Sequence, residues 1–259
     1  MSQIVTKFLG GFFKTLNNNE GKIMRRIILS LSIILALALG AYGQNAKEYF
    51  EKGRAKYQLG DYGGVMRNLS KAIELDPQNA MYYGLRGAAK MELDDYRGAI
   101  QDLSKAIELD PNDDLHYFIR GNANKRLGDY GEVISDYSKA IELNPLSGGY
   151  YSARGFTKSS LNDHRGAIMD FTRAIELNPN EASYFFARGT NKLNLNDNRG
   201  AIMDFTRAIE LNPNVAMFYY SRGVAKLFLD RIDSGCLDLS RAGEMGYVEA
   251  YQVIRDSCN

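Results

Sequence analysis

Five arginines recur at a spacing of 34 residues, and an aspartate follows each of them 16 positions later. A row of cations could bind an anionic ligand, whereas Arg–Asp pairs would serve the fold, because the planar guanidinium binds both carboxylate oxygens. The series begins with Lys52 in place of Arg and Asn68 in place of Asp. Because the two positions depart together, we favour structural pairs, with the partner Asp in the same or the preceding member of the series. The predicted pairs join Arg86, Arg120, Arg154, Arg188 and Arg222 with Asp102, Asp136, Asp170, Asp204 and Asp238.

The residue types that usually carry out catalysis do not form a recognisable group. His116 and His164 stand where other members of the series have tyrosine, and neither has a nucleophile or metal ligand at suitable spacing. We interpret both as packing substitutions. A glutamate recurs in an Ala-Ile-Glu-Leu motif, where it is interpreted as a solvated helix end: Glu74, Glu108, Glu142, Glu176 and Glu210. The sequence therefore predicts a protein that is not an enzyme and has no cofactor and no metal.

The prolines show that the whole chain follows one period. All five lie 34 residues apart, at Pro77, Pro111, Pro145, Pro179 and Pro213. This period defines six units, 46–79, 80–113, 114–147, 148–181, 182–215 and 216–249, followed by a tail, 250–259. Counted from the first residue of each unit, offset 8 is always Gly, offset 14 is Leu, offset 27 is Ala and offset 4 is aromatic.

Each unit is expected to form two antiparallel helices. Its apolar and small positions fall into two runs with helical spacing, separated by a polar turn such as Gly60-Asp61. A Gly inside a helix costs about 1 kcal/mol against Ala. We therefore expect the Gly at offset 8 to permit close packing of the second helix, which has a small residue at offset 20. The Asp-Pro or Asn-Pro step ends the second helix, because the residue before proline avoids helical geometry.

This pattern resembles the tetratricopeptide repeat (TPR) family. That family has an aromatic at offset 4, Gly at 8, Ala at 20, an aromatic at 24, Ala at 27 and Pro at 32, and this sequence meets the pattern nearly throughout. It departs at offset 7, which is Lys or Arg instead of Leu, and at offset 11, which is polar, as in Lys90 and Asn124. The resemblance implies an all-α, right-handed superhelical solenoid with a concave groove lined by the first helices.

The resemblance also implies a binding surface, since offsets 2, 5, 9, 12 and 13 usually line the groove in this family. The aromatics there are surplus to the expected core, and exposed aromatics mark binding sites for a peptide or protein segment. The alternative is that they pack sideways on neighbouring units. The predicted groove residues are Phe50, Arg54, Tyr57, Phe118, Asn122, Phe156, Phe186 and Tyr220. The carboxylate clamp of co-chaperone members, Lys at offset 5 with Asn at offset 9, is absent.

The C-terminal unit departs from the pattern at Gly243 and Tyr247. The following segment, 250–258, is predicted to be a helix that caps the open end of the core, as terminal repeats often do. Cys236 and Cys258 are the two cysteines, and both are C-terminal. In an oxidising compartment we expect them to form a disulfide that pins the cap; the alternative is two buried thiols.

The N-terminal segment predicts export. Residues 24–43 contain a short basic stretch, an apolar run at 27–39, and small residues before a possible cleavage site at Gln44. The run is shorter than the roughly 20 residues that a spanning helix needs, although an uncleaved anchor is the alternative. Residues 1–23 form a long leader, and our hypothesis is that translation starts at Met24. The expected location is periplasmic, cell-surface or secreted.

Composition and charge narrow the classes of partner. Apolar residues make up 45% and charged residues 24% of the chain, as in a folded globular protein, and the net charge of +1 gives no indication of nucleic-acid binding. The sequence therefore predicts a non-catalytic protein-interaction scaffold that binds a peptide or protein segment in its groove. The alternatives are an architectural component of a cell-envelope complex and, less favoured, an anion- or carbohydrate-binding protein. The oligomeric state is left open.

Overall fold

The chain is all-helical over the part that the structure, a computed structural model, describes: the backbone of residues 19–258, and the side chains of residues 27–33 and 45–258. No strand occurs within this part. The helices of the first three units are α1 (Asn19–Gln58), α2 (Tyr62–Leu75), α3 (Ala80–Glu92), α4 (Tyr96–Leu109), α5 (Asp114–Leu127) and α6 (Tyr130–Leu143). The remaining helices are α7 (Gly148–Ser160), α8 (His164–Leu177), α9 (Ala182–Asn194), α10 (Asn198–Leu211), α11 (Ala216–Leu227), α12 (Ile232–Glu244) and α13 (Glu249–Ser257).

The turn inside each unit is built from a left-handed residue followed by an N-cap. Gly60 and Gly128 have positive φ angles, and the equivalent positions in the other units are Asp or Asn, the side-chain types that best tolerate this conformation. The next residue caps the second helix. For example, the Asp163 carboxylate accepts a hydrogen bond from the Gly166 N–H at 2.9 Å, which satisfies a donor left free at the start of the helix.

The second helices end where the sequence predicts. The residue before each proline is non-helical; Asp110, for instance, has φ −136° and ψ 93°. Its backbone N–H still donates to the Ala106 carbonyl, so the final turn is closed before the chain leaves the helix. The following proline sits in the loop, where its missing N–H costs no helical hydrogen bond.

Close approach of the paired helices explains the Gly at offset 8. A Cβ built on Gly121 would lie 2.7 Å from the Tyr137 ring, and one on Gly189 would lie 2.8 Å from the Phe205 ring. Tyr137 and Phe205 are fully buried large side chains. In these repeats the side chain nearest to the glycine is thus the large residue at offset 24, which the sequence analysis did not single out for this contact. In the last repeat, Gly223 also approaches the carbonyl of Gly235, the residue at offset 20.

The helices form two compact parts, which are not the same as the repeat units. The N-terminal part ends at Ala89 and the C-terminal part begins at Lys90. In the first, α1 packs on α2 around Val65, Leu69 and Ala72, which have no exposed surface. In the second, each first helix packs on its own second helix and on the second helix of the preceding repeat. Each interface has its own small apolar cluster, such as Ala167, Phe171 and Ala187. The predicted all-α repeat fold is confirmed.

The C-terminal helix α13 packs on the last repeat. Val253 and Ile254 contact the cluster of Leu239, Ala242 and Ala250. The change to Gly243 has a steric reason, because a Cβ there would lie 2.7 Å from the Tyr251 ring. The helix therefore covers apolar surface that a further repeat would otherwise bury.

At the other end, α1 runs without a break from Asn19 through the predicted cleavage position and into the first repeat. Ile27, Leu29 and Leu31, from the predicted apolar run, are about half exposed. Within the described residues, no helix combines the length and the apolarity needed to cross a membrane. The signal peptide and the start at Met24 stay predictions, and residues 1–18 lie outside the described part.

Candidate functional site

The Arg–Asp pairs form within single repeats. The Arg120 guanidinium donates to the Asp136 carboxylate through Nε and Nη2, with the shortest distance 2.7 Å from Nη2 to Oδ1. Three further repeats show the same fork, with Nη2–Oδ1 distances between 2.7 and 2.8 Å: Arg154–Asp170, Arg188–Asp204 and Arg222–Asp238. The structure thereby decides between the two positions that the sequence left open, since the partner lies 16 residues ahead in the same repeat.

A second donor, which the sequence analysis missed, joins each of these carboxylates. Lys158 lies 2.8 Å from the second Asp170 oxygen, and Lys192 and Lys226 take the same position in the next two repeats. These lysines occupy offset 11, the position noted only as polar. In the third repeat that offset is Asn124, whose amide donates to Asp136 at 3.2 Å. Each aspartate therefore receives two donors from one helix.

The arginines also connect neighbouring repeats. Arg120 Nη1 donates to the Ser104 hydroxyl of the preceding repeat at 3.1 Å, and Arg188 donates to Thr172 at 3.2 Å. Offset 25, which supplies this hydroxyl, is Ser or Thr in all six units, and that regularity was available in the sequence. The guanidinium carbon of Arg120 also lies 5.8 Å from the centre of the Tyr117 ring.

Burial makes these networks part of the core. The Asp136 side chain is 2% exposed and that of Asp170 is 5% exposed. Burial alone would lower the pKa of Arg120, but the hydrogen bonds and the charge of Asp136 raise that pKa above its usual value. A buried carboxylate needs this compensation, because an unpaired charge in the interior costs several kcal/mol. The offset-7 arginines of these four repeats are therefore engaged within the fold.

The first two repeats share only part of this pattern. In the first repeat, 46–79, Lys52 pairs with Glu48 on the surface at 2.7 Å, and the Asn68 amide donates to the Gly64 carbonyl. In the second repeat, 80–113, Arg86 donates to Ser70 of the first repeat at 3.2 Å, as Arg120 does to Ser104. Lys90 of the second repeat lies 2.8 Å from Asp102.

Three of the predicted groove aromatics link consecutive repeats. Each has its ring centre between 4.7 and 5.2 Å from an aromatic at offset 3 of the next repeat: Phe50–Tyr82, Phe118–Tyr150 and Phe186–Phe218. All three phenylalanines are half-buried. These three phenylalanines therefore pack sideways on the next repeat, as in the alternative considered above, and they contribute to the apolar contacts between repeats.

Phe156 differs from these three. Its ring stands edge-on to Phe171 at 4.9 Å, yet 43% of the residue is exposed. It lies on the first helix of its repeat, where the neighbouring offset-5 position is the small, buried Ser152. Among the predicted groove aromatics between Lys90 and the C-terminus, Phe156 has the largest exposed fraction.

The remaining predicted groove residues have local partners. Arg54 pairs with Glu51 at 2.8 Å, and Asn122 accepts a hydrogen bond from the Tyr137 hydroxyl at 2.6 Å. Two ring contacts complete the set: Tyr57 with Tyr62 at 5.5 Å and Tyr220 with Tyr247 at 4.6 Å.

Family models match the same repeats. A tetratricopeptide repeat model matches residues 46–79, 117–145, 149–181 and 182–215, and a second TPR model matches 87–128. Together these segments cover more than half of the chain. The chain belongs to the TPR family. No curated protein sequence is significantly similar to it.

Solved TPR structures are similar to this one. A crystal structure of MamA protein is 25% identical with a TM-score of 0.62, over 66% of this chain and 94% of that chain. YrrB is 23% identical with a TM-score of 0.67, over 72% of this chain and 97% of that chain, a likeness that shows the fold alone. MamA from Desulfovibrio magneticus RS-1 is 20% identical with a TM-score of 0.62, over 66% and 97% of the two chains.

The two histidines of this TPR protein lie in separate places. His116 is 5% exposed, and its Nε2 lies 3.7 Å from an Asp113 oxygen. His164 Nδ1 lies 2.9 Å from the Asn191 amide oxygen. Within the described residues, no group of three or more His, Cys, Asp or Glu is arranged to hold a metal ion.

The repeated glutamates lie at exposed helix ends, where they pair with the cation three residues earlier. Lys139–Glu142 at 2.8 Å and Arg173–Glu176 at 2.7 Å are examples. Exposed pairs of this kind contribute less than about 1 kcal/mol each. These residues belong to the TPR scaffold.

The cysteines form a disulfide-capable pair at the cap. Cys236 on α12 and Cys258 after α13 are bonded in the structure, with Cα atoms 5.9 Å apart. That separation is usual for a disulfide. The link would join the cap helix to the second helix of the last TPR unit.

Proposed function

We propose that this TPR protein is a non-catalytic interaction scaffold that binds a peptide or protein segment on its inner face, the surface formed by offsets 2, 5, 9, 12 and 13 of the first helices. The observation that carries the proposal is Phe156, a ring that is 43% exposed on this face. Large exposed aromatics bury much area on binding at a low cost in side-chain entropy. A structure of the same fold, that of YrrB, is described as a TPR protein with an unusual peptide-binding site.

The contacts of the polar residues support a scaffold rather than an enzyme. The buried arginines, lysines and aspartates compensate one another's charge within each repeat. An anion- or carbohydrate-binding role for the arginine row is correspondingly less favoured, because a ligand would have to displace Asp170 or its equivalents from contacts near 2.8 Å.

Site-specific photo-crosslinking tests the inner face. Phe156→p-benzoylphenylalanine places a photo-reactive ring at the proposed contact, and Met203→p-benzoylphenylalanine is a matched control on a second helix, where Met203 is 73% exposed. In extracts of the source cells, we expect a discrete adduct from position 156 that is absent from position 203. Adducts of equal yield from both positions, or from position 203 alone, would contradict the proposal.

The alternative, assembly of a larger complex, has a surface of its own. Met169, Met203 and Leu237 occupy offset 22 of three consecutive second helices and are each more than 70% exposed. If this surface binds another component of a cell-envelope complex, position 203 will give the adduct and position 156 will not. The crosslinking experiment therefore separates the two functions.

We also propose that the protein is exported, on the basis of the basic, apolar and small-residue segments at 24–43. N-terminal sequencing of the protein from fractionated cells is expected to find Gln44 as the first residue outside the cytoplasm. Recovery of the uncleaved chain in the cytoplasm would contradict export.

A further inference from the structure

Three large apolar side chains project from the outer face of the last three repeats. The outer face is the surface formed by offsets 18, 22 and 26 of the second helices, opposite the buried side of each helix. Offset 22 is more than 70% exposed in these repeats, at Met169, Met203 and Leu237. In the first three repeats the same offset is polar, at Arg67, Gln101 and Ser135. The outer face therefore changes from polar to apolar along the chain.

Neither packing nor duplication of a repeat explains this apolar row. The core contacts of these helices come from the opposite side, from residues such as Phe171 and Leu239, which have no exposed surface. The helices α8 and α10 differ only at their first residue, so a duplicated repeat would account for both methionines. However, α12 differs from both at most positions and still has Leu237 at offset 22.

Arginines flank the two methionines on the same helix face, because residues four apart lie one above the other on a helix. On α8, Arg165 precedes Met169 by four residues, and on α10 Arg199 precedes Met203 by four. Both arginines are exposed, and neither is paired with a carboxylate among the residues that the structure describes. The methionines therefore lie beside cations whose charge is not compensated within the fold.

The arginines on the other side of the row are partly compensated. Arg173 and Arg207, four residues after the methionines, pair with the glutamates three residues further on at 2.7 and 2.9 Å. On α12 the two flanking positions are Asp233 and Arg241, so this helix adds no net charge from them. The cationic part of the outer face thus lies on α8 and α10.

The apolar side chains stand on separate helices. Each of these second helices packs on first helices, and charged residues at offsets 18 and 26 lie on both sides of its one apolar residue. They form isolated projections rather than a continuous apolar groove, so a folded partner would have to supply a pocket for each one. A lipid headgroup layer is fluid and admits each flexible side chain separately. Its phosphates also accept hydrogen bonds from the guanidinium fork.

We propose that the outer face of the last three repeats binds the surface of an anionic lipid bilayer. Met169, Met203 and Leu237 enter the headgroup layer, while Arg165 and Arg199 bind lipid phosphates. This interaction goes beyond the scaffold function and does not depend on it. The inner face is formed by the first helices, so it stays open to a partner while the second helices contact the membrane.

Photo-crosslinking to vesicles tests which surface meets the lipid. The probe membrane contains equal parts of phosphatidylglycerol and phosphatidylcholine. Met203→p-benzoylphenylalanine is compared with Gln101→p-benzoylphenylalanine, at the same offset of a repeat that lacks the apolar row, and with Phe156→p-benzoylphenylalanine on the inner face. After irradiation, mass spectrometry measures the fraction of chains that carry a lipid. We expect about tenfold more lipid adduct from position 203 than from the other two positions. Equal yields, or no adduct from position 203, would overturn the proposal.

Vesicle sedimentation of the full chain tests the apolar residues. Met169→Ser/Met203→Ser removes two of them, and Leu59→Ser/Leu146→Ser is a control with matched exposure, since these leucines are 77% and 73% exposed. The apolar segment at 27–39 is present in every variant, so only differences between variants are compared. We expect the partition coefficient to fall about tenfold for the methionine variant and to stay within about twofold for the control. Equal losses would show general adhesion and overturn the proposal.

A charge-matched pair tests the arginines in the same assay. Arg165→Gln/Arg199→Gln removes the uncompensated cations, and Arg67→Gln/Arg97→Gln removes two exposed arginines from second helices without the apolar row. The first variant should bind about tenfold more weakly and the control should bind as the wild type does. Wild-type binding should also fall on vesicles of phosphatidylcholine alone. Equal effects of the two variants, or unchanged binding to the neutral vesicles, would contradict recognition of anionic lipid.

The outcomes are distinct from those that test the scaffold function. A protein adduct from position 203 in cell extracts, with no lipid adduct from vesicles, would assign the outer face to a protein component and overturn the proposal. Absence of a protein adduct from position 156 would contradict only the scaffold function, because lipid binding is read from position 203.

Discussion

The third repeat should be more sensitive to loss of its buried arginine than the fourth. Arg120→Met retains the apolar stem but removes three hydrogen bonds to Asp136, which is 2% exposed and then keeps only the neutral Asn124 amide. Breaking a buried ion pair costs about 3–5 kcal/mol. Arg120 is itself 22% exposed, so water can partly replace it, and we expect a loss of about 3 kcal/mol in the free energy of unfolding.

Arg154→Met provides the comparison. Asp170 then keeps Lys158 at 2.8 Å, so its charge stays compensated. The expected loss is about 1.5 kcal/mol, the value of hydrogen bonds to a charged group. Arg165→Met, at an exposed position on a second helix, should stay within about 0.5 kcal/mol of the wild type. The double change Arg120→Met/Asp136→Leu should recover stability, because it leaves no unpaired buried charge.

Urea unfolding followed by far-UV circular dichroism measures all four variants. From the highest urea midpoint to the lowest, the order should be Arg165→Met, Arg154→Met and Arg120→Met. The midpoint of the double variant should be higher than that of Arg120→Met. An Arg154→Met variant that unfolds at least as early as Arg120→Met would show that the lysine does not compensate Asp170. A fully stable Arg120→Met variant that loses ligand binding would show instead that the arginines form a ligand site.

Three further predictions concern packing, pH and the cap. Gly121→Ala should lower stability by about 1–3 kcal/mol because its Cβ would lie 2.7 Å from a buried ring, whereas Gly149→Ala, whose nearest atom is 3.8 Å away, should not, as thermal unfolding of the two will show. Burial raises the pKa of Asp114, but hydrogen bonds from Tyr150 and Asn144 outweigh this effect and lower the pKa below its unfolded value near 3.8. The ionised carboxylate should therefore stabilise the fold above pH 3.8, and this contribution should be lost as the pH falls below that value. The stability difference between wild type and Asp114→Asn should shrink over that range, and a constant difference would contradict the assignment. Reduction of the Cys236–Cys258 link should lower the unfolding temperature, because it removes up to about 3 kcal/mol from the free energy of unfolding. The reductant should have no effect on the unfolding temperature of Cys236→Ser.

The sequence predicts most of the helical architecture because the repeat is an internal alignment. The proline period locates the ends of the second helices, and the invariant Gly at offset 8 indicates a close helix approach. The expectation named the small residue at offset 20, and the structure adds rings such as Tyr137 at offset 24, which lie over the glycine. A linear pattern gives the side on which a residue lies but not how far its side chain reaches.

The contacts of the polar residues were only partly predictable. The joint departure of Lys52 and Asn68 linked offsets 7 and 23, and the structure places these offsets in contact in later repeats. Lys158 and its equivalents at offset 11 were not assigned to these pairs, although their recurrence is visible in the sequence. The ring contacts between repeats, such as Phe118 with Tyr150, depend on how one repeat stacks on the next, which sequence spacing within a repeat does not specify.

The most direct test of the central claim is a binding measurement with the partner segment that crosslinking identifies. Its affinity should be measured for wild type, Phe156→Ser and Met203→Ser, after circular dichroism has shown that all three are folded. Phe156→Ser should weaken binding by about tenfold or more, while Met203→Ser should bind as the wild type does. Unchanged affinity for Phe156→Ser, with loss for Met203→Ser, would contradict inner-face binding and assign the interaction to the second helices.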